Sequence, residues 1–346
     1  MKRALVVSGG GSKGAFAVGA IKQLQATWPG LEFDIFVGTS TGSLIVPFVA
    51  LNELDLLETL YTNKKTSDIV TTHNLGDRIS EHSIFDANPL WALITQFLTE
   101  PRCTELLNGN KHLAITTTCL QTGALTVFVN EANPIPAKNY ERRALINPLH
   151  LQKAVMGSAC QPVFMPPVKI NKDVAGAANP EYQYVDGGVR QYAGIEMAID
   201  AGATEVFTIL LSSGKEEPVT REFTDLFSIL QQTIDIFTDD VGKNDLIIPR
   251  QYNESLEYID AVKKKMKREG VSTDDINKYF LIRGRESPYE DKVPLKLFTI
   301  RPDGPLGGGP GGLVFDPAEM KQMLAKGKSV TNSFAATLND ADITWA

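Results

Sequence analysis

The chain has 346 residues and a formal net charge of −7, with 43% hydrophobic and 22% charged residues. This composition is typical of a globular protein, and the chain is long enough for one α/β domain or two smaller ones. The acidic balance argues against a nucleic-acid partner, and three widely spaced cysteines indicate no disulfide framework. No run has the length of a transmembrane helix, so we expect a cytoplasmic protein.

The first fifty residues have the pattern of a parallel α/β sheet. Short apolar runs at 4–7 and 35–37 predict buried strands. An apolar helical periodicity follows each of them, at 12–28 and at 41–54. The alternation of strand and helix with short turns predicts a βαβ unit with parallel strands.

The same reasoning predicts further elements along the chain. They are strands 113–119 and 124–129 as a hairpin, helix 150–159, strand 182–185, helix 195–201, strand 205–211, helices 220–242 and 250–268, strand 295–300 and a helix from 317. The glycine-proline segment 302–312 is predicted to be a mobile loop and carries no motif. The character of the sequence changes near 213, where we predict the boundary of a core, 1–212, and a mainly helical region, 213–346. We expect the late strand to return to the same sheet.

The strongest chemical signal is Gly38-Thr39-Ser40-Thr41-Gly42, a G-x-S-x-G sequence between a predicted strand and a predicted helix. Such a sharp turn exposes the serine hydroxyl, and Gly38 and Gly42 relieve crowding around it. The positive end of the following helix favours negative charge that develops nearby. The motif predicts that Ser40 is a nucleophile; a glycine turn with an N-capping serine is the alternative.

A second glycine-rich turn, residues 9–14 with the sequence Gly9-Gly10-Gly11-Ser12-Lys13-Gly14, also lies between a predicted strand and helix. We call it the N-terminal glycine loop. Consecutive glycines let backbone N–H groups converge on an anion, so the amides of Gly9, Gly10 and Gly11 can form an oxyanion hole. Neighbouring parallel strands would place this loop beside Ser40.

The same loop also matches a dinucleotide-binding fingerprint, with Asp34 at about the expected distance of twenty residues. The ribose-binding acid should follow the second strand, however, whereas Asp34 precedes it. The oxyanion interpretation is therefore favoured, and an oxidoreductase remains the alternative. A P-loop is excluded because no lysine follows Gly14.

The base that would activate Ser40 cannot be placed in a usual triad. The four histidines, His73, His82, His112 and His150, all follow Ser40 and precede Asp186. This order differs from that of the known serine triads. A triad that borrows His112 or His150 in a new order is the alternative to a carboxylate acting directly.

Asp186, within Val185-Asp186-Gly187-Gly188, is the candidate carboxylate. Gly187 and Gly188 would let it approach another backbone turn closely. A carboxylate with its reference pKa of about 4 is a poor base, so burial must raise that pKa or Ser40 must share the proton. A plain Asp-Gly turn is the ordinary alternative.

Together these elements resemble the patatin-like phospholipase family, with its glycine-rich oxyanion loop, its G-x-S-x-G elbow and its later D-G-G/A acid. A fourth stretch, 157–167 with the sequence GSACQPVFMPP, is similar to the family's A-S-x-x-x-P-x-x-F-P-P. The resemblance covers residues 4–212. Ser8 stands where many members carry aspartate, and Gly157 where they carry alanine.

The resemblance implies a patatin-type three-layer α/β fold: a mostly parallel central sheet flanked by helices, here with a helical C-terminal extension. It further implies a Ser40–Asp186 dyad that hydrolyses lipid acyl esters as a phospholipase A, lysophospholipase or esterase, without metal or other cofactor. The implied partner is a lipid or other acyl-ester substrate. A catalytically silent lipid-binding protein of the same fold is a further alternative.

Three features outside the motifs have both a functional and an ordinary interpretation. Lys13 could contact a substrate phosphate or carboxylate, or be solvated or ion-paired. The basic residues among 263–268 could meet anionic lipid headgroups, or form a solvated helix face. An apolar helical stripe could be a lid or a peripheral membrane contact, or else pack in the core or a dimer. It consists of Phe223, Leu226, Phe227, Leu230, Ile234 and Phe237.

Overall fold

A computed structural model of the chain describes residues 2–72, 81–215, 222–224, 226–280, 294–338 and 343. The described strands are β1 (Arg3–Val7), β2 (Ile35–Thr39), β3 (His112–Cys119), β4 (Leu125–Val129), β5 (Glu141–Ala144), β6 (Tyr184–Asp186), β7 (Glu205–Ile209) and β8 (Lys296–Ile300). The described helices are α1 (Gly14–Thr27), α2 (Thr41–Ala50), α3 (Leu54–Asn63), α4 (Asn88–Phe97), α5 (Glu100–Asn108), α6 (Pro148–Ala159), α7 (Ile195–Asp200), α8 (Leu226–Arg268), α9 (Thr273–Phe280) and α10 (Pro317–Ala335).

The strands in the described ranges form one sheet with the order β5-β4-β3-β2-β1-β7-β8, and β6 pairs with β3. Five of its pairs are parallel: β1–β2, β1–β7, β2–β3, β4–β5 and β7–β8. The β3–β4 hairpin and the β3–β6 pair are antiparallel. The predicted mostly parallel sheet is confirmed, and the late strand does return to it as β8.

The strand register determines where the motifs meet. On β3, Thr116 pairs with the last residue of β2, Thr39, and the next residue, Thr117, pairs with Asp186 of β6. β6 therefore continues along the same edge of β3 from the point at which β2 stops. The elbow serine, Ser40, leaves β2 at this point, so the register brings Ser40 and Asp186 together.

Both faces of the sheet are covered, which explains the continuous apolar strands. On β1, Leu5 and Val7 belong to one buried cluster, whereas Ala4 and Val6 belong to another on the opposite face. The first cluster contains residues of α1 to α6 and α10; the second contains residues of α7, with α8 packed against it. The result is a three-layer α/β architecture with the sheet in the middle.

The prediction of two helices at 220–242 and 250–268 is wrong, because one helix, α8, spans Leu226–Arg268 and includes Pro249. Residues 220 and 221 lie outside the described residues. A proline inside a helix removes one backbone hydrogen bond and normally favours a break. Tertiary contacts offset that cost here: Gly242 packs on the Tyr192 ring, and Asp245 accepts hydrogen bonds from the amides of residues 192 and 193. None of the described helices has both the length and the apolar composition needed to cross a membrane.

Candidate active site

Ser40 occupies a strained turn between β2 and α2. Its φ of 55° and ψ of −124° lie in a region that non-glycine residues rarely adopt, which is the geometry of a nucleophile elbow. The turn also requires glycine at position 42, because a β-carbon there would lie 2.1 Å from the carbonyl oxygen of Val7. The elbow is thus pressed directly against the end of β1.

Three hydrogen bonds fix the backbone of Ser40. Its amide donates to the buried hydroxyl of Ser158 at 3.0 Å. Its carbonyl accepts from the amide of Ser43 at 2.9 Å and from the Ser43 hydroxyl at 2.6 Å. Sequence reasoning did not name Ser158 or Ser43 as site residues, although Ser158 lies in the fourth similar stretch.

Asp186 faces Ser40 from the end of β6. Its carboxylate accepts a hydrogen bond from the Gly188 amide at 2.7 Å. Burial raises the pKa of Asp186 from 3.8 to about 6, although the nearby Ser40 hydroxyl and the Gly188 amide both act in the opposite direction. Gly187 allows the close approach, since a β-carbon there would lie 2.2 Å from the Thr116 hydroxyl. The carboxylate is therefore a stronger base than an exposed aspartate.

The N-terminal glycine loop lies on the other side of Ser40. A β-carbon on Gly9 would be 3.1 Å from the Ser40 β-carbon, and Gly10 has a φ of 152°. Within the described residues, the amides of Gly9, Gly10 and Gly11 have no hydrogen-bond acceptor, and the three glycines line the cavity described below. These amides can therefore meet an anion beside Ser40. Ser8, just before the loop, is bonded to the segment that follows β7: its hydroxyl accepts a hydrogen bond from the Leu211 amide at 3.1 Å.

The histidines in the described ranges lie away from Ser40. His112 pairs with Glu131 at 3.1 Å and lies opposite Ile35, at the start of β2 rather than at its end. His150 contacts Asn171 at 3.1 Å, His82 is exposed, and none of the three lines the cavity. His73 lies outside the described residues. No described histidine is therefore in position to act as the base.

Asp34 does not approach the N-terminal glycine loop either. Its carboxylate accepts a hydrogen bond from the Arg3 amide at 2.8 Å, at the start of β1. The loop follows the other end of β1, so the strand separates the two. A dinucleotide site needs an acidic residue near its glycine loop to bind the ribose, and Asp34 is not near this loop.

A cavity of about 1270 Å³ opens above Ser40, Asp186 and the N-terminal glycine loop. One wall is apolar and comes from helices α2, α3, α4 and α6. It includes Leu44, Phe48, Leu57, Leu60, Leu90, Leu93, Ile94 and Val155. A polar wall comes from the N-terminal glycine loop and from α8, which also contributes the apolar Ile234 and Ile236. It includes Lys13, Asp235, Asp239, Asp240 and Lys243.

A family model, that of the patatin-like phospholipases, matches residues 5–199. This range contains Ser40, Asp186, both glycine-flanked turns and Ser158, and it covers more than half of the chain. The chain belongs to the patatin-like phospholipase family. The three-layer α/β fold with its mostly parallel sheet agrees with this membership.

Two known proteins are similar to parts of this patatin-like chain. A cUMP-AMP-activated phospholipase of Escherichia coli is 39% identical over 64 residues, which are 17% of this chain and 20% of that enzyme. The match thus spans about a fifth of the enzyme's length. VipD from Legionella pneumophila aligns in structure with 97% of this chain and 67% of its own, with 11% identity and a TM-score of 0.41.

Helix α8, outside the patatin-like match, crosses the active-site loop that follows Asp186. The methyl group of Thr238 faces Gly188, and Asp245 accepts from the amides of Tyr192 and Ala193 at 2.6 and 2.9 Å. Burial raises the pKa of Asp245 to about 7, against the effect of those two hydrogen bonds. Sequence reasoning found no sign of this docking, because an aspartate in an amphipathic helix is usually solvated.

The apolar stripe at the start of α8 has two surroundings instead of one. Phe223 and Ile234 line the cavity, whereas Leu230 and Phe237 are 37% and 65% exposed. The side chains of Leu226 and Phe227 lie outside the described residues. The stripe is therefore neither wholly core nor wholly surface where it is described.

Lys13 lines the cavity beside the N-terminal glycine loop. Burial lowers its pKa, and the nearby Asp235 carboxylate acts in the opposite direction. In the basic segment at the end of α8, Lys264 pairs with Asp260 at 2.7 Å on an exposed helix surface. No group of three metal-ligating side chains comes together within the described residues.

Proposed function

We propose that the chain is a serine lipid acyl hydrolase of the phospholipase A, lysophospholipase or esterase type, with Ser40 as nucleophile and Asp186 as base. The observation that carries the proposal is the juxtaposition of the Ser40 hydroxyl, which lowers the pKa of Asp186, with that buried carboxylate in a large, partly apolar cavity. The family description, a phospholipase, agrees with it.

The geometry supports a two-step reaction. Asp186 takes the hydroxyl proton while Ser40 Oγ bonds to the ester carbonyl carbon, and the amides of the N-terminal glycine loop stabilise the oxyanion. The ester C–O bond then breaks, and the leaving alcohol takes the proton from Asp186. Water then attacks the acyl carbon with Asp186 again accepting a proton. The acyl–Oγ bond breaks, Asp186 returns the proton to Ser40 Oγ, and a fatty acid is released.

The electrostatic setting suits this role for Asp186. A general base works best when its pKa lies near the working pH and it is still ionised. With a pKa of about 6, Asp186 is mostly ionised at neutral pH and accepts a proton more readily than an exposed carboxylate does. The Ser40 hydroxyl lies close enough to this carboxylate to lower its pKa, so its proton has a nearby acceptor.

The cavity walls favour an amphiphilic substrate. An acyl chain fits the apolar wall formed by α2, α3, α4 and α6, because burial of methylene groups there removes them from water. The polar wall then faces the headgroup or alcohol side of the ester. We propose that Lys13 contacts a phosphate or carboxylate of the substrate, with Asp235 sharing its charge.

A hydrolysis assay with a substrate panel tests the proposal. Purified protein is offered phospholipids, lysophospholipids, glycerides and short p-nitrophenyl esters, and fatty-acid release is measured for wild type and Ser40→Ala. We expect release from at least one lipid class by wild type and none above background by Ser40→Ala. Ser329→Ala, an exposed serine on α10, is the matched control and should match wild type.

The rival functions predict different results in the same preparation. A silent lipid-binding protein would bind lipid vesicles while releasing no fatty acid from any substrate. An oxidoreductase would copurify with or bind NAD. Either result would overturn the proposal.

A further inference from the structure

The C-terminal glycine loop, residues 307–312, packs against the N-terminal glycine loop. Its sequence is Gly307-Gly308-Gly309-Pro310-Gly311-Gly312, and each of its five glycines has a positive φ. The loop is more than a hundred residues beyond the patatin-like match, which ends at residue 199. No part of the usual motif set therefore accounts for it.

The two glycine loops touch backbone against backbone. A β-carbon on Gly312 would lie 2.3 Å from the carbonyl oxygen of Gly10, and a β-carbon on Gly11 would lie 2.2 Å from that of Gly312. Both distances are far below normal contact, and a backbone atom cannot rotate aside as a side chain can. The contact therefore exists only because neither residue has a side chain.

Hydrogen bonds hold the C-terminal glycine loop in place. The Gly308 amide donates to the Glu319 carboxylate of α10 at 3.2 Å, and the Val314 amide donates to the Gly308 carbonyl at 2.9 Å. The Gly311 amide lies near Asp235 of α8 and lowers the pKa of that carboxyl group. The loop is thus tied to α10 by a hydrogen bond and lies beside α8.

The helix after the N-terminal glycine loop is fixed to the same region. Gly19 of α1 packs on the Leu324 carbonyl, and Gly327 of α10 packs on the Phe16 carbonyl, with β-carbon positions 2.0 and 2.1 Å from those oxygens. The N-terminal glycine loop is therefore held in two ways. The helix that follows it, α1, packs on α10, and the backbone of the loop itself packs on Gly312.

We infer that the C-terminal glycine loop is a positioning element for the oxyanion hole, and that Gly312 is its key residue. Contact with the Gly10 carbonyl sets the plane of the peptide that carries the Gly11 amide, one of the donors beside Ser40. The inference rests on the proposed function, because the loop has a catalytic effect only if those amides stabilise an oxyanion.

Gly312→Ala with two alanine controls tests the inference. Gly304→Ala places alanine in the same segment without close contacts or a positive φ. Gly270→Ala, at a φ of +89° with nothing within 4 Å, isolates the backbone strain. We expect kcat of Gly312→Ala to fall about 100-fold with little change in KM, because small misplacements of catalytic groups have effects of that size. Both controls should keep the wild-type kcat.

The KM–kcat split separates positioning from plain destabilisation. A variant that only loses stability would show a lower melting temperature while its folded fraction keeps the wild-type kcat. Folded Gly312→Ala with the kcat of Gly304→Ala would overturn the inference while leaving the hydrolase intact. A wild type that hydrolyses none of the esters would instead contradict the proposed function itself.

A gentler variant decides the matter if Gly312→Ala does not fold. Glu319→Ala removes the acceptor of the Gly308 amide without adding atoms, and Gln322→Ala is its exposed control on α10. We expect a several-fold fall in kcat for Glu319→Ala at unchanged KM. Equal kcat values for Glu319→Ala and Gln322→Ala would then contradict the positioning role.

Discussion

The patatin-like segment, 5–199, and the C-terminal region, 213–346, contribute to the same cavity in different ways. The first contains the candidate nucleophile and base, both nearly buried, with Ser40 9% and Asp186 8% exposed. The second contains neither, yet supplies α8 as a wall and the C-terminal glycine loop as a support. The candidate catalytic residues thus lie in short local motifs, whereas part of the cavity wall comes from distant segments.

The surfaces of the two regions differ as well. Around Ser40, buried hydroxyl groups of Ser158 and Ser43 hold the backbone amide and carbonyl of Ser40 by hydrogen bonds. On α8, Ile236 and Phe237 are 52% and 65% exposed although the same helix lines the cavity. We expect substitutions at Ser40 and Asp186 to change kcat, and substitutions along the cavity walls in either region to change substrate preference. Gly312 belongs to neither group and is expected to change kcat.

The largest effect is expected for Ser40→Ala. Loss of the nucleophile should lower kcat by about 10⁴-fold or more, because the remaining groups cannot form the acyl-enzyme. The measurement is fatty-acid release under saturating substrate, with the melting temperature as a check of folding. Residual activity within tenfold of wild type would place the nucleophile elsewhere.

Asp186→Asn should lower kcat by about 10³-fold, since the amide keeps the shape but accepts no proton. For wild type, kcat/KM should rise with pH through about 6 as Asp186 ionises, then level off. A rate profile from pH 5 to 9 measures this rise. An Asp186→Asn variant with wild-type activity would return a histidine to consideration, including His73.

The same substitution should stabilise the fold at high pH. The pKa of Asp186 is higher in the folded chain, about 6 against 3.8, so the fold favours the protonated form. This stabilising contribution is complete at low pH and is lost as the pH rises from 3.8 through about 6. At about 1.4 kcal/mol per pH unit, Asp186→Asn should gain up to about 3 kcal/mol at pH 8 and little near pH 4. If wild type and Asp186→Asn had equal denaturation midpoints at both pH values, Asp186 would not be a buried charge that destabilises the fold.

Filling the apolar wall should change chain-length preference more than rate. Leu93→Trp on α4 narrows the cavity, so the ratio of kcat/KM for long-chain to short-chain esters should fall about tenfold. Gln96→Trp makes the same change at an exposed position on the same helix. If both variants kept the wild-type ratio, the acyl chain would not lie along this wall.

The smallest effect is expected for Lys13→Gln. Loss of the cation should raise KM for anionic phospholipids about threefold and leave that for neutral glycerides unchanged, because the nearby Asp235 already offsets part of the charge of Lys13. The comparison needs the two substrates in the same detergent and salt. Equal KM changes for both would remove the proposed headgroup contact.

Much of the catalytic segment could be predicted from sequence because each element has a local cause. The short apolar strands at 4–7 and 35–37 became β1 and β2, and the glycines beside Ser40 indicated a strained turn, which the structure has between β2 and α2. Asp186 was chosen as the partner of Ser40 from the order of the histidines, the Asp-Gly-Gly turn and the family resemblance, and the β3 register brings the two residues together. Their catalytic roles remain predictions.

The remaining structure depends on contacts between distant residues. Helix α8 runs continuously through Pro249, where two helices were predicted, and it docks on residues 192 and 193 through Asp245. The segment 307–312 resembled a free loop, because its partner, Gly10, lies about three hundred residues earlier. Neither contact leaves a periodicity or motif in the sequence. The boundary near 213 remains a prediction, although β8 pairs with β7 across it.

Covalent labelling tests the central claim most directly. Purified protein is treated with a fluorophosphonate probe, digested, and searched by mass spectrometry for the modified peptide. We expect a single adduct on Ser40, lost in Ser40→Ala and formed far more slowly in Asp186→Asn. Labelling that persists in Ser40→Ala, or an adduct on another residue, would contradict it.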